Sequence, residues 1–143
     1  MYYEVKIKFP EVNAVGEVGG VKEVNRSFLI DVMSFTEAET RMIKMAIERN
    51  FQDLTIKAIT YSRISKVIDE VQRDDDKFFN VTVTYIEETD EGKKKNYHLY
   101  YLVRASVPEE TIPFIEQDWA GSTTEWKVTQ IKESPIVEVV NHE

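Results

Sequence analysis

The chain of 143 residues contains no cysteine. Disulfide bonds, thiolate metal sites and cysteine nucleophiles are therefore excluded. No apolar run approaches the ~20 residues that a membrane helix requires, and the N-terminal MYYEVKIKF has no apolar signal core. These absences predict a cytoplasmic protein with no membrane contact.

Basic residues are also scarce, with 18 against 26 acidic ones and a formal net charge of −8. Non-specific binding to nucleic acid depends on neutralising phosphates, so this charge argues against a nucleic-acid partner. The apolar fraction of 42% is ordinary for a globular protein. At this length we expect one domain, or two small halves that share one core.

Similar patterns occur twice along the chain. Alternating strand-like runs open each half, YYEVKIKF at 2–9 and FNVTVTY at 79–85. A second strand-like run follows in each half, NRSFLIDV at 25–32 and YHLYYLVR at 97–104. The helix starts SFTEAE and SVPEET come next, with their first residues, Ser34 and Ser106, 72 positions apart. This order predicts two copies of one β-β-α-β unit.

The resulting prediction is an α+β fold, a tandem pseudo-twofold repeat with six main strands and two helices. The repeats cover about 2–68 and 78–140, joined by an acidic linker at 69–77 into a single domain 1–143. The third strands, Leu54–Ile68 and Trp126–Val140, are about twice the usual 5–6 residues. Strands of this length often bend or pass from one sheet to another.

The helix ends carry capping signals. Ser34 and Thr36 both fit an N-cap of the first helix, because a glutamate follows each by three residues. Ser106 takes the equivalent place before the second helix, which Gly121 ends. Ala38, Met42, Met45 and Ala46 form the predicted buried stripe of the first helix.

The stretch SFTEAETRM, together with YYEVKIKF and the LIDV run, resembles an uncharacterised protein family of Bacteroidetes and their phages. Its members share a strand–strand–"SFTEAEAR"–strand organisation, and the resemblance covers nearly the full length. The motif is a helix start that carries no chemistry. The resemblance implies an intracellular protein of such a bacterium or phage, with no assigned activity. Thr40 stands where a small residue is commoner in that family.

Catalytic and metal-binding patterns are missing. His98 lies in a strand and His142 is next to last, whereas a histidine metal site needs several converging ligands. Adjacent residues such as Asp74–Asp76 point in different directions, so this run is interpreted as a solvated linker. The stretch AVGEVGGVKEV lacks phosphate-loop spacing and leads into a strand, which indicates a hairpin connection. We predict no catalytic residue, no metal and no cofactor.

These observations favour a non-enzymatic binding or interaction protein whose partner is an unknown protein or small molecule. It is expected to self-associate into a homo-oligomer through exposed strand edges or an apolar sheet face. If an anionic ligand binds between the repeats, Arg104, Tyr61 and Arg63 are the candidate contacts.

Two alternatives remain open at this point. The first is a phage sponge-type protein that sequesters a small anionic nucleotide. The second is a metal-dependent hydrolase with Asp74–Asp76 or Asp31 as ligands. The lysine run Lys93–Lys95 is interpreted as a solvated hairpin tip, with contact to an acidic partner as the alternative.

Overall fold

The computed structural model describes residues 1–12, 21–70 and 73–142. Within these ranges the fold is α+β, with eight strands and two α-helices. In chain order the elements are β1 (Tyr2–Val12), β2 (Val21–Asp31), α1 (Phe35–Glu48), β3 (Thr55–Tyr61), β4 (Lys66–Ile68), β5 (Lys77–Glu88), β6 (Lys94–Ala105), α2 (Thr111–Asp118), β7 (Trp126–Glu133) and β8 (Ile136–Val140).

The chain divides into two compact units. The first comprises residues 1–62 and 135–143, and the second comprises residues 63–134. Each unit contains one four-stranded sheet and one α-helix. No helix in the described ranges is both long enough and apolar enough to cross a membrane.

The sheet of the first unit has the order β3-β1-β2-β8. Strands β1 and β2 pair antiparallel along their whole length, from Tyr2 opposite Asp31 to Val12 opposite Val21. Strand β8 adds to β2 in parallel. Strand β3 forms the other edge, and its register shifts so that Lys57 has no opposite residue in β1. Such a bulge on an edge strand discourages pairing with a further strand.

Helix α1 covers this sheet. Its N-cap is Ser34, whose hydroxyl accepts from the Glu37 N–H at 3.1 Å, while Glu37 accepts from the Met33 N–H at 2.9 Å. The two bonds satisfy backbone donors at the helix start. The predicted stripe is buried and packs on apolar residues of the sheet, a core made of Val5, Ile7, Phe9, Phe28, Ile30, Val32, Ala38, Met42, Met45 and Val140.

The sheet of the second unit has the order β4-β6-β5-β7. Strands β5 and β6 form a hairpin whose turn carries Gly92 at φ 79°. Strand β7 pairs antiparallel with β5, and β4 pairs in parallel with β6. Its core consists of Ile68, Phe79, Val81, Val83, Tyr101, Val103, Ala105 and Ile115.

The second helix starts differently from the first. A 3₁₀ turn at Pro108–Glu110 precedes α2, and the residue before it, Val107, supplies no side-chain cap. The Ser106 hydroxyl donates to Asp76 at 2.9 Å instead of capping the helix. Gly121, at φ 81°, follows the end of α2 as expected.

The predicted count of six strands is corrected to eight, because each long third strand is divided. Leu54–Ile68 becomes β3 and β4, and Trp126–Val140 becomes β7 and β8. The Ser62 N–H still donates to Tyr2 in the first unit, whereas the Ser65 N–H donates to Tyr100 in the second. Proline has no N–H for a ladder, so Pro135 marks the second division.

Two predicted connections are described only in part. Strand β2 begins at Val21, four residues before the predicted run 25–32, and the glycines Gly16, Gly19 and Gly20 lie outside the described residues. Of the predicted linker 69–77, residues 71–72 also lie outside them. Within the described part of the linker, Asp69, Arg73 and Asp76 form ion pairs.

Candidate functional site

Arg104 lies in β6, and carboxylates already occupy its guanidinium group. Its Nη1 lies 3.5 Å from Asp69 Oδ1 and its Nε lies 3.4 Å from Asp76 Oδ2. The guanidinium also stands 5.8 Å from the centre of the Phe78 ring. An anionic ligand would therefore have to compete with these two carboxylates for Arg104.

Asp76 is the centre of a polar network at the start of β5. Its side chain is 0% exposed and accepts from the Arg73 N–H at 2.7 Å, from Arg73 Nε at 3.2 Å and from the Ser106 hydroxyl at 2.9 Å. Arg73 also donates to Glu110 at 2.6 Å. Burial by itself raises the pKa of Asp76, but these hydrogen bonds and the Arg73 charge hold the pKa below its ordinary value.

This network changes the interpretation of the acidic linker. Asp74 and Asp75 are exposed, as a solvated run predicts, but Asp76 is buried and hydrogen-bonded. Its role is to fix the segment before β5 to the start of the second helical region. No sequence motif marks Asp76 among its neighbours, which is why the sequence did not single it out.

Tyr61 and Arg63 lie on either side of the boundary between the units. Tyr61 ends β3 in the first unit, is exposed, and meets the ring of Tyr3 edge-on at 5.5 Å. Arg63 is exposed at the beginning of the second unit, which also contains Arg104. The three predicted ligand contacts are therefore not all within one unit.

The residues considered for metal chemistry have other partners. Asp31 accepts from the N-terminal amino group at 3.2 Å, and His98 Nδ1 lies 3.0 Å from the Thr84 hydroxyl. In the described part of the chain, no group of three or more histidine, aspartate or glutamate side chains converges on one point. The described residues therefore offer no set of metal ligands for the hydrolase alternative.

A cavity of about 350 Å³ lies beside α1 in the first unit. Two basic side chains of the helix, Arg41 and Lys44, line it together with His142. Asp31 and Glu37 bring acidic groups to the same wall. The volume is at the small end of the range for ligand pockets, about 300–1,000 Å³.

Helix α1 carries exposed apolar side chains. Phe35 is 52% exposed, Ile43 is 45% exposed and Ile47 is 76% exposed. We call these three residues the α1 patch. A groove of about 600 Å³ runs from the patch to β3, lined by Phe35, Glu39, Ile43, Leu54, Thr55, Ile56, Lys57, Ala58 and Ile59.

The patch is unusual for a surface with this much charge. Apolar residues scattered singly on a surface need no explanation, but a contiguous apolar area marks an interaction site. A spacing of four residues makes Ile43 and Ile47 neighbours on the outer surface of the helix, whereas Phe35 lies in the first turn and shares the groove beside β3 with Ile43. The signal was visible in the sequence, since α1 has apolar residues beyond those that its buried stripe needs.

The family of the chain follows from a comparison over its whole length. The model of a domain of unknown function, DUF4494, matches residues 1–142. The chain belongs to the DUF4494 family. No curated protein matches it.

Membership of the DUF4494 family confirms that the chain comes from an uncharacterised family, as the SFTEAETRM resemblance predicted. The family description assigns no substrate, partner or catalytic residue. For this DUF4494 chain, functional inference therefore depends on the geometry of its own residues. Among the sites described above, the α1 patch is the feature that the packing within its unit leaves unexplained.

Proposed function

We propose that this DUF4494 protein is a non-enzymatic interaction protein that binds another protein through the α1 patch. The observation that carries the proposal is the exposure of Ile43 and Ile47 as neighbours on one helical surface, with Phe35 exposed at the groove that Ile43 also lines. Covering apolar side chains stabilises an association by about 25 cal/mol per Å² of area removed from water. The adjacent groove gives a partner side chain a concave place to fill.

We also propose a cytoplasmic location, an origin in Bacteroidetes or their phages, and a tandem repeat. A cytoplasmic location rests on the absence of cysteine, and an origin in Bacteroidetes or their phages rests on SFTEAETRM. The tandem β-β-α-β repeat is supported by the strand order, because β3-β1-β2-β8 and β7-β5-β6-β4 have matching pairings. In each sheet the last strand named joins in parallel and the other neighbours pair antiparallel.

Replacing Ile47 with glutamate tests the proposal. The side chain is 76% exposed, so the substitution should leave the fold intact, while a charge buried within an interface weakens binding by roughly tenfold or more. Titration calorimetry between purified proteins, or sedimentation for self-association, measures the change. Val107→Glu is the matched control, since Val107 is 45% exposed in the other unit. The proposal is wrong if Ile43→Glu and Ile47→Glu both leave every association of the protein unchanged.

A second candidate function is the binding of a small anion. It is favoured by the cavity beside α1, where Arg41, Lys44 and His142 supply basic groups. The earlier candidates Arg104, Tyr61 and Arg63 remain predictions for such a ligand. Thermal unfolding with inorganic phosphate and with nucleoside monophosphates tests this candidate, because a bound ligand stabilises the folded state. If Arg41→Ala abolishes the stabilisation, the anion binds in the cavity beside α1. If Arg104→Ala abolishes it, the anion binds at Arg104 in β6. If neither probe stabilises the wild-type protein, anion binding is not a function of this chain.

A further inference from the structure

The outer face of α1 has the spacing of a coiled-coil seam. Thr36, Thr40, Ile43 and Ile47 follow one another at intervals of four, three and four residues, and all are exposed. This spacing places the four side chains in one line along the helix. The seam spans about 16 Å at 1.5 Å per residue. Two members of the α1 patch, Ile43 and Ile47, therefore belong to a seam that another helix can fill.

Thr40 of the seam can be covered at low cost. The Thr40 hydroxyl donates to the Thr36 carbonyl oxygen at 3.0 Å, inside the helix itself. A hydroxyl with an internal partner does not need water when its face is covered. The small side chains at positions 36 and 40 also leave room opposite a large one. The N-terminal half of the seam therefore has small side chains, and the C-terminal half has large ones.

The charges beside the seam complement an antiparallel partner helix. Glu37 and Lys44 are seven residues apart, so they lie on the same flank, two turns from each other. In an antiparallel pair of identical helices, each flank meets the same flank of the other copy in reverse order. Glu37 of one copy then faces Lys44 of the second, and the reverse contact repeats it.

We propose, resting on the proposed function, that the protein bound at the α1 patch is a second copy of this chain, with the two α1 helices antiparallel. In this arrangement Thr36 lies opposite Ile47 and Thr40 lies opposite Ile43, so small residues meet large ones along the whole seam. The bulge at Lys57 disfavours the other route to self-association, pairing of β3 edges.

Charge reversal provides the test, with sedimentation equilibrium as the measurement. The wild-type protein should form a dimer. Lys44→Glu places two acidic pairs in the interface and should weaken the dimer by roughly tenfold. Glu37→Lys combined with Lys44→Glu restores opposite charges and should recover the wild-type dissociation constant. Circular dichroism and thermal unfolding of each variant check that α1 persists, because Glu37 also accepts from the Met33 N–H.

If the two helices were parallel, a different second substitution would restore the Lys44→Glu dimer. There Glu39 of one copy would face Lys44 of the other, so Glu39→Lys, and not Glu37→Lys, would restore a Lys44→Glu dimer. Rescue by Glu39→Lys, or a dimer insensitive to Lys44→Glu, overturns the antiparallel pairing. A wild-type protein that stays monomeric overturns the second-copy inference alone. The proposed function fails only if Ile43→Glu and Ile47→Glu also leave binding to every other protein unchanged.

Discussion

Single residues of the second unit show how burial and hydrogen bonding select among similar side chains. Asp74, Asp75 and Asp76 are consecutive and identical, yet only Asp76 is buried. Its oxygens accept from Arg73 and Ser106 and lie near Arg104. A buried carboxylate persists where donors replace its lost water. Arg73 lies three residues before Asp76, but the positions of Ser106 and Arg104 follow from the pairing of β5 with β6, which a local reading of the linker does not supply.

Acid should destabilise the protein partly through Asp76. Its pKa in the folded protein is below the ordinary value of 3.8, so the folded state holds this proton less tightly than the unfolded state does. The associated stability is present above pH 3.8 and is lost as the pH falls through the folded pKa. Asp76→Asn should therefore lower the melting temperature at pH 7 and reduce the further loss below about pH 4.

Thermal unfolding between pH 7 and pH 3 measures this effect. Asp74→Asn is the matched control, because it removes the same charge from an exposed position two residues away. The control should follow the wild-type acid profile. Equal acid profiles for wild type and Asp76→Asn would show that Asp76 does not contribute to the pH dependence. Glu110 and Asp118 also have lowered pKa values, so some acid sensitivity should remain in every variant.

At the scale of elements, the start of α1 resolves an ambiguity in the sequence. Both Ser34 and Thr36 fit the capping pattern, and only Ser34 forms the cap. The Thr36 residue lies inside the helix, where its carbonyl accepts from Thr40. Ser34→Ala should cost about 1 kcal/mol of unfolding free energy, the usual cost of a lost N-cap. Thr36→Ala, within the helix, should change stability by less than about 0.5 kcal/mol.

Chemical denaturation of the two variants under identical conditions distinguishes them. A larger loss for Thr36→Ala than for Ser34→Ala would place the helix start two residues later than observed. Ser106→Ala extends the comparison to the second unit. There the serine hydroxyl bonds Asp76 and no cap is formed, so its loss should alter the acid profile instead of helix content.

Strands and helices with strong local patterns could be predicted from the sequence, whereas the strands that pair with them could not. Alternation located β1 and β5, and helical spacing located the buried stripe of α1. The division of Leu54–Ile68 depends on hydrogen bonds that change from Tyr2 to Tyr100, residues far away along the chain. The α1 patch was not predicted, because helical spacing identifies the buried stripe but does not show whether Ile43 and Ile47, which lie outside it, stay exposed.

In the whole molecule, neighbours along the chain do not always belong to the same unit: the chain leaves the first unit after Ser62 and returns to it at Pro135. The short strand β4 follows the first unit in sequence, yet Ile68 lies in the core of the second unit beside Val103 and Tyr101. Strand β8 likewise brings Val140 to the core of the first unit. Each core is therefore completed by a strand from the distant half of the chain. This exchange is a long-range contact that local sequence patterns do not encode.

Substitutions at Ile68 and Ile59 test this assignment, because the two residues are nine positions apart and belong to different cores. Ile68→Ala should cost about 2–5 kcal/mol and loosen the second unit. Amide hydrogen exchange should then accelerate first in β6, around Tyr101–Val103, which pairs with β4. Ile59→Ala, in β3, should instead accelerate exchange in β1, its hydrogen-bonded neighbour. Faster exchange confined to β1 and β2 in the Ile68→Ala variant would mean that β4 belongs with the first sheet, and the division of the chain at Ser62 would be wrong.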